Sequence, residues 1–305
     1  MNELFAADPA VCQTTSHLKM LLNHFGHQSG RYLSALPENW RTEIERIFAS
    51  RGEIEIAQMR SLLRRAKDQG CLTQGHWPHW NDKYPWLFNI ARIELESGLP
   101  LHAVVIPEAH DGAALRCLKY GLMDLDLTPT ADERIDSTPA EFSRVSQTLL
   151  MASSEIAFID PYLNPTKNNM KPVLLALLKC AARGNAQNIV LHARATEIFG
   201  QRRSDTLLDD VESALKSILA LVGFKPGRRL ELLLWDDGDC TAKMHGRYIL
   251  SIKGGIRFDQ GFQVLPQGRR TDVAPIGKTT HDELFRIYFE QEHDMHLSER
   301  LVLIT

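Results

Sequence analysis

Apolar positions recur at helical spacing through the first part of the chain, in Thr15 to Phe25, in Trp40 to Phe48 and in Ile54 to Ala66. In the last of these, Leu62, Leu63 and Ala66 continue a stripe begun by Ile56 and Met59, and Gly70 ends it. An aromatic-rich stretch follows, His76-Trp77-Pro78-His79-Trp80 and then Tyr84-Pro85-Trp86. Beyond it lie a helix-like Leu87 to Glu96 and an apolar run, Leu101 to Ile106, that reads as a strand. The pattern predicts a mostly helical domain over residues 1–125. From Asp124 to Pro139 the chain is polar, holds two prolines and has no helical period, which predicts a linker over residues 126–139.

After the linker the pattern changes period. Ser137-Thr138-Pro139-Ala140-Glu141 has a cap, a proline in the first turn and an acid after it, the marks of a helix start. Strand Glu155–Asp160, helix Lys171–Arg183 closed by Gly184, strand Asn188–His192, helix Asp205–Val222 stopped by Gly223 and strand Arg229–Trp235 then alternate. Alternation with helices of this length predicts parallel pairing, so the fold class is α/β. A layered domain over residues 140–305 is expected, with a largely parallel or mixed sheet and ligand chemistry at the carboxyl ends of its strands. Two further strands, the second through Gly254 to Phe258, read as a hairpin, and Asp282–Glu292 reads as a last helix with Leu284, Phe285, Ile287, Tyr288 and Phe289 on its buried side.

Composition narrows the function classes. The chain has 305 residues, of which 44% are hydrophobic and 24% charged, the balance of a globular protein. No stretch approaches the roughly 20 uncharged apolar residues that span a bilayer, and the amino terminus lacks the pattern of a signal peptide, so a cytoplasmic protein without membrane insertion is expected. Cys12, Cys71, Cys117, Cys180 and Cys240 are far apart and odd in number, which suggests reduced thiols. His76 and His79 have Pro78 between them and no carboxylate or cysteine in ligand register, so packing among Trp77, Trp80 and Trp86 is their expected use and no metal is expected. A net charge of −3 argues against coating nucleic acid by bulk electrostatics. Basic residues nevertheless gather at Arg202-Arg203, Arg228-Arg229, Lys243 to Arg257 and Arg269-Arg270, as solvated surface or as an anion-attracting rim.

The chemistry concentrates in Lys243-Met244-His245-Gly246-Arg247-Tyr248-Ile249-Leu250-Ser251 and in Lys253 to Phe262. If the chain is extended there, His245 and Arg247 point the same way. Arg offers a planar fork of donors that matches phosphate oxygens, and His serves as nucleophile, acid or base near neutral pH.

The strand Phe158-Ile159-Asp160-Pro161-Tyr162, the alternating elements after it, the His245 to Leu250 strand and Gly254-Gly255-Ile256 with Gly261-Phe262 together resemble the phospholipase D superfamily. More narrowly they resemble bacterial phospholipase D-like proteins with an HxRY-type strand in place of HxK. The resemblance covers about Ala140 to Glu292; residues 1–125 resemble no family. It implies a two-step phosphodiester exchange, without a required metal or other cofactor. One histidine attacks phosphorus to give a phosphohistidine and a second protonates the leaving oxygen. His245 matches the histidine, Arg247 stands at the lysine, and the acid position falls on Ile252, so Asp259, Asp236 or Asp160 is expected to substitute. The chain has one copy of a motif needed twice, which implies a homodimer whose two His245 residues meet.

His245 and Arg247 are therefore the expected catalytic residues. Asp160, His192 and Arg194 at strand ends, with Lys243, Lys253, Arg257 and Asp259 around the His-Arg strand, are the expected substrate-binding residues. His192-Ala193-Arg194 repeats the spacing without the following apolar strand, and His281, His293 and His296 are expected as surface or packing residues. The implied function is a phosphodiesterase, with a nuclease foremost and nucleic acid as substrate. The alternatives are a catalytically inactive module gripping phosphates of lipid or nucleic acid, and an effector subunit of a bacterial defence complex that engages a protein partner through residues 1–125.

Overall fold

The computed structural model describes residues 3–26, 29–73, 80–97, 101–107, 116–119, 132–184, 186–200, 204–266 and 268–305. The chain divides into two compact units, Asn2–Thr130 and Ala131–Thr305. Both are α/β, and among the described residues no helix is long and apolar enough to cross a membrane.

The amino-terminal unit is not the mostly helical domain that periodicity predicts. Strands β1 (Glu3–Ala7), β2 (Arg31–Ser34), β3 (Leu72–Thr73), β4 (Leu101–Ile106) and β5 (Cys117–Lys119) form a sheet in the order β3-β2-β1-β4-β5. Every pairing in it is parallel. The expected helices are present as α1 (Thr15–Asn23), α2 (Trp40–Phe48), α3 (Glu53–Asp68) and α4 (Trp86–Ser97). Thr14 caps α1 by accepting the His17 N–H, and α3 carries Glu53 and Glu55 in its first turn and Arg65 and Lys67 in its last, matching its dipole. Of the five strands only β4 stands out in the sequence. A short parallel strand buried on both faces has no polar alternation to advertise it, as in β1, where Phe5, Ala6 and Ala7 have no exposed surface. Their core joins Phe5 and Leu33 to Leu18, Ile44, Phe48 and Leu63. The paired histidines of the aromatic stretch lie outside the described residues.

In the carboxy-terminal unit the elements are β6 (Glu133–Asp136), α5 (Pro139–Ala152), β7 (Glu155–Ile159), α6 (Lys171–Arg183), β8 (Asn188–Arg194), α7 (Thr196–Phe199) and α8 (Asp205–Val222). They continue with β9 (Arg229–Asp236), β10 (Arg247–Ser251), β11 (Gly254–Phe258), β12 (Arg270–Pro275), α9 (Lys278–Tyr288) and β13 (His296–Ile304). The eight strands form one sheet in the order β13-β9-β8-β7-β10-β11-β12-β6. The central β7, β8 and β9 are parallel, and the strands outside them join antiparallel.

Two expectations fail here. The described part of the predicted linker contains β6, which pairs with β12 and is held by Arg134 forked on Asp272 (2.5 and 2.8 Å) and by Arg270 on Asp136 (3.0 Å). Its one apolar residue, Ile135, is buried, too little signal to read as a strand. The last helix starts four residues early, after Gly277, and ends at Tyr288, so that His281 is buried and its Nε2 donates to the Ser251 carbonyl (2.7 Å).

Helices α5 and α6 pack so closely that Gly184, at the end of α6, has no room for a side chain: an added Cβ would stand 2.3 Å from the Met151 carbonyl oxygen and 2.4 Å from its Cα. Both neighbours are backbone and cannot swing away. Gly184→Ala is expected to lower stability by about 1–3 kcal/mol, read as a fall in the urea midpoint, by the ordinary cost of overpacking.

Candidate functional site

The parallel strands β7, β8 and β9 end at one edge of the sheet, and β10, antiparallel to β7, begins there. Asp160 follows β7 directly and has no exposed surface. Its Oδ1 accepts the Tyr162 N–H and its Oδ2 accepts the Phe262 N–H, both at 2.9 Å. Burial pushes its carboxyl up from the usual range, against those two donors and Arg247. Gly261 is needed for this approach, since a Cβ there would lie 2.6 Å from Oδ2.

Arg247 opens β10 beside Asp160, with Nε 4.0 Å from Oδ1. Its Nη1 donates to the Asp259 carbonyl (3.2 Å), and its guanidinium carbon stands 5.1 Å from the centre of the Tyr162 ring. Arg194, at the end of β8, lies 5.9 Å from the same ring. It forks onto Asp237 (2.9 and 3.0 Å) and donates to the Met244 carbonyl (2.7 Å). Two cations thus converge on one half-exposed phenol.

The loop from β9 to β10 is clamped at several points. Asp237 accepts the Met244 N–H (2.9 Å) as well as the Arg194 fork, and Lys243 donates to the carbonyls of Asp237 and Gly238. Burial works against the charge on Asp237, but Arg194 and the Met244 N–H outweigh it and hold its carboxyl below the usual range. Asp294 accepts the N–H groups of Thr241 (2.6 Å) and Ala242 (2.9 Å), which pull its pKa to about 2. At the end of this clamped loop His245 is exposed and, among the described residues, makes no hydrogen bond or ion pair. It precedes the strand, so the extended alternation that would align it with Arg247 does not govern it. Between them Gly246 lies against Tyr248, whose hydroxyl would be 2.0 Å from an added Cβ.

Several expected site residues are placed elsewhere or used otherwise. His192 is wholly buried beneath the site: Trp235 Nε1 donates to its Nδ1 (3.0 Å), and the Tyr288 ring meets it edge-on at 5.1 Å. Burial, then His293, lowers its pKa to about 3, so it is neutral and does not touch a ligand at the edge. Ile252 and Lys253 form the β10–β11 turn, four residues of strand and about 13 Å from Arg247, at the opposite end of the hairpin. Arg257 pairs with Tyr248 rather than Arg247 and so faces the other side of the sheet. Asp259 contributes its carbonyl, not its carboxylate, and Asp236 spends an oxygen on the Gly238 N–H (3.0 Å). Of the three acids expected to replace the one missing at Ile252, Asp160 is the one beside Arg247. Arg229 starts β9 at its other end, with Arg228 just before it, Arg228 buried against the Gly184 carbonyl (3.2 Å) and Arg229 paired with Glu231 (2.7 Å). Arg202 and Arg203 lie outside the described residues.

Tyr162, Asp237 and Asp294 were not anticipated. Tyr162 follows the Asp160-Pro161 strand end, a visible position; Asp294 is 53 residues from the amide it holds and gave no signal. Among the described residues no group of three or more His, Cys, Asp or Glu could hold a metal ion.

No family model matches the chain, and no curated protein matches it. Among solved structures an archaeal chromatin protein, TrmBL2, whose structure is described as having a novel mode of DNA binding, matches with 15% identity and a TM-score of 0.29. The match covers 56% of this chain and about half, 55%, of that one. No family or fold is assigned from it.

Two outcomes follow from the clamps. Asp237→Ala leaves the largely buried Arg194 fork without its anion and is expected to cost about 3 kcal/mol in urea unfolding, with Arg194→Ala adding little more. For Asp294 the folded pKa, about 2, lies below the unfolded value, so its contribution is present in full above that value and is lost as pH falls through the folded one. The midpoint difference between wild type and Asp294→Ala is therefore expected to be constant at neutral pH and to narrow progressively below about pH 4.

Proposed function

We propose that the unit formed by Ala131–Thr305 handles phosphodiesters, with Arg247 gripping the phosphate and His245 attacking it, in a site completed by a second copy of the chain. The observation that carries this reading is the exposed, unpartnered imidazole of His245 two residues before a guanidinium positioned by Asp160, at the edge where parallel strands end. In the first step an imidazole nitrogen bonds to phosphorus, the bond to the leaving oxygen breaks, and that oxygen takes a proton. Water then attacks the phosphohistidine, the P–N bond breaks and the imidazole is restored. His192 cannot supply the proton, because it is neutral and wholly buried. His245 of a second copy can, which is the physical reason for a homodimer. Arg247 balances charge on the remaining phosphate oxygens.

Nucleic acid is favoured over lipid by Tyr162. An exposed ring flanked by two guanidiniums offers a base a stacking face beside the phosphate. The rest of the expected basic rim does not add to this, since Arg194 and Lys243 are committed within the protein and Lys253, Arg228 and Arg229 lie elsewhere. Contact with one or two phosphates, rather than a long track, is the expected footprint.

A second reading, binding without turnover, is favoured by one observation: among the described residues no carboxylate pairs with the imidazole of His245, and the acid position is Ile252 at the far turn. The two separate in one experiment, on native mass and on cleavage of DNA, RNA and bis-p-nitrophenyl phosphate in EDTA. A dimer is expected. His245→Ala should lose turnover by roughly 100-fold or more while keeping oligonucleotide binding, and Arg247→Ala should weaken binding about tenfold. Unchanged cleavage by His245→Ala overturns the assignment; salt-sensitive binding by a wild type that never turns over establishes the second reading.

A further inference from the structure

The amino-terminal unit carries a cleft that phosphate chemistry leaves unused. It opens at the carboxyl ends of β1 and β2, where Asp8 follows Ala7 and where Pro37 and Asn39 follow the end of β2. Its volume, about 810 Å³, is that of a small-molecule site. The strand order β3-β2-β1-β4-β5 reverses direction between β1 and β4, and open parallel sheets take their ligands beside such a reversal.

The cleft is aromatic and acidic at once. Trp80, Tyr84 and Trp86 line it. Both indole N–H groups are already used, Trp80 on Asp82 (2.9 Å) and Trp86 on the Leu36 carbonyl (3.0 Å). That fixes the rings and leaves their π faces as the available chemistry. The charged lining is three carboxylates, Asp8, Glu43 and Asp82, against one guanidinium, Arg46, which is largely in solvent and paired with Glu43 (2.7 Å). Asp8 is different from the other two acids. One of its oxygens accepts the Ala10 N–H (2.9 Å), and among the described residues no cation pairs with it. Burial raises its pKa, the mark of a carboxylate that lacks compensation.

These features select by charge. A phosphate or other anion would meet three carboxylates. A neutral apolar ligand would fill the space but strip water from Asp8 and leave its charge unpaired. A compact cation satisfies both surfaces, since it neutralises Asp8 and is attracted to the negative faces of aromatic rings. We propose that this cleft binds a small organic cation, an amine or quaternary ammonium, held between the Asp8 carboxylate and the walls formed by Trp80, Tyr84 and Trp86.

The test is titration of the full chain with tetramethylammonium, choline and spermidine, with adenosine monophosphate as an anionic probe, followed by tryptophan fluorescence and calorimetry. Saturable binding of an ammonium probe is expected, weakened about tenfold in Asp8→Asn, with no competition from the nucleotide, and any nucleotide binding at the Arg247 site is expected to be the same in Asp8→Asn as in wild type. Asp8→Asn removes charge at nearly constant shape. Should it fail to fold, Tyr84→Ala, at a residue 44% exposed, serves instead and is expected to weaken binding while leaving the melting temperature unchanged. Absence of saturable binding by all three ammonium probes, equal affinity in the folded variants, or displacement of the ammonium probe by the nucleotide overturns the proposal.

Discussion

The carboxy-terminal unit is organised by one buried charge. Asp160 has no exposed surface, and a carboxylate taken out of water is tolerable only where donors replace the lost hydration. The compensation comes from three separate parts of the chain: hydrogen bonds from the Tyr162 N–H just after β7 and the Phe262 N–H after β11, and the charge of the Arg247 guanidinium, 4.0 Å away at the start of β10. Meeting that need fixes the relative positions of the strand ends. It also demands Gly261, because any larger residue would occupy the carboxylate's space. The aromatic cluster beneath, where Phe262 meets Phe142, Phe158 and Phe258, packs around the same contact.

A second carboxylate performs the same service for the neighbouring loop. Asp237 joins the end of β8, through Arg194, to the main chain of Met244. Arg194 spends its fork on the Asp237 carboxylate, and Lys243 donates to the carbonyls of Asp237 and Gly238. Of the basic residues gathered around this edge in the sequence, Arg194 and Lys243 are bonded to groups of the protein itself and hold the frame. Arg247 keeps part of its fork and His245 keeps all of its ring. The division of labour is physical: charges that neutralise buried acids cannot also serve a ligand at full strength.

Much of the frame is legible in the amino-acid sequence. The helices Lys171–Arg183 and Asp205–Val222 occur where periodicity and terminal glycines place them, because a long amphipathic stripe with a stop signal has few other uses. The β10–β11 hairpin was legible for a similar reason, with glycines between two apolar runs. The sheet of the amino-terminal unit was not. Strands such as β2 and β3 are only four and two residues long, and they are strands because neighbours supply their hydrogen bonds. Likewise β6 is a strand because it pairs with β12, more than 130 residues away in the chain. Within the candidate site, Asp160 and Arg247 were visible as a strand end and a strand start. The fates of His192 and Lys253 were not, since facing inward or lying at the far turn is a matter of register.

The sequence by itself determined which residues have chemistry suited to phosphate, the alternation that makes the second unit α/β, and the glycine and proline points where elements stop. These are local properties, set by side-chain type and by period along a few turns of chain. Only the tertiary structure decided which acid stands beside Arg247, which of two His-x-Arg pairs is open to solvent, and that an acidic aromatic cleft forms in the other unit. Those outcomes depend on contacts between residues far apart in the chain, where burial, register and charge compensation choose among candidates that composition and spacing leave equal.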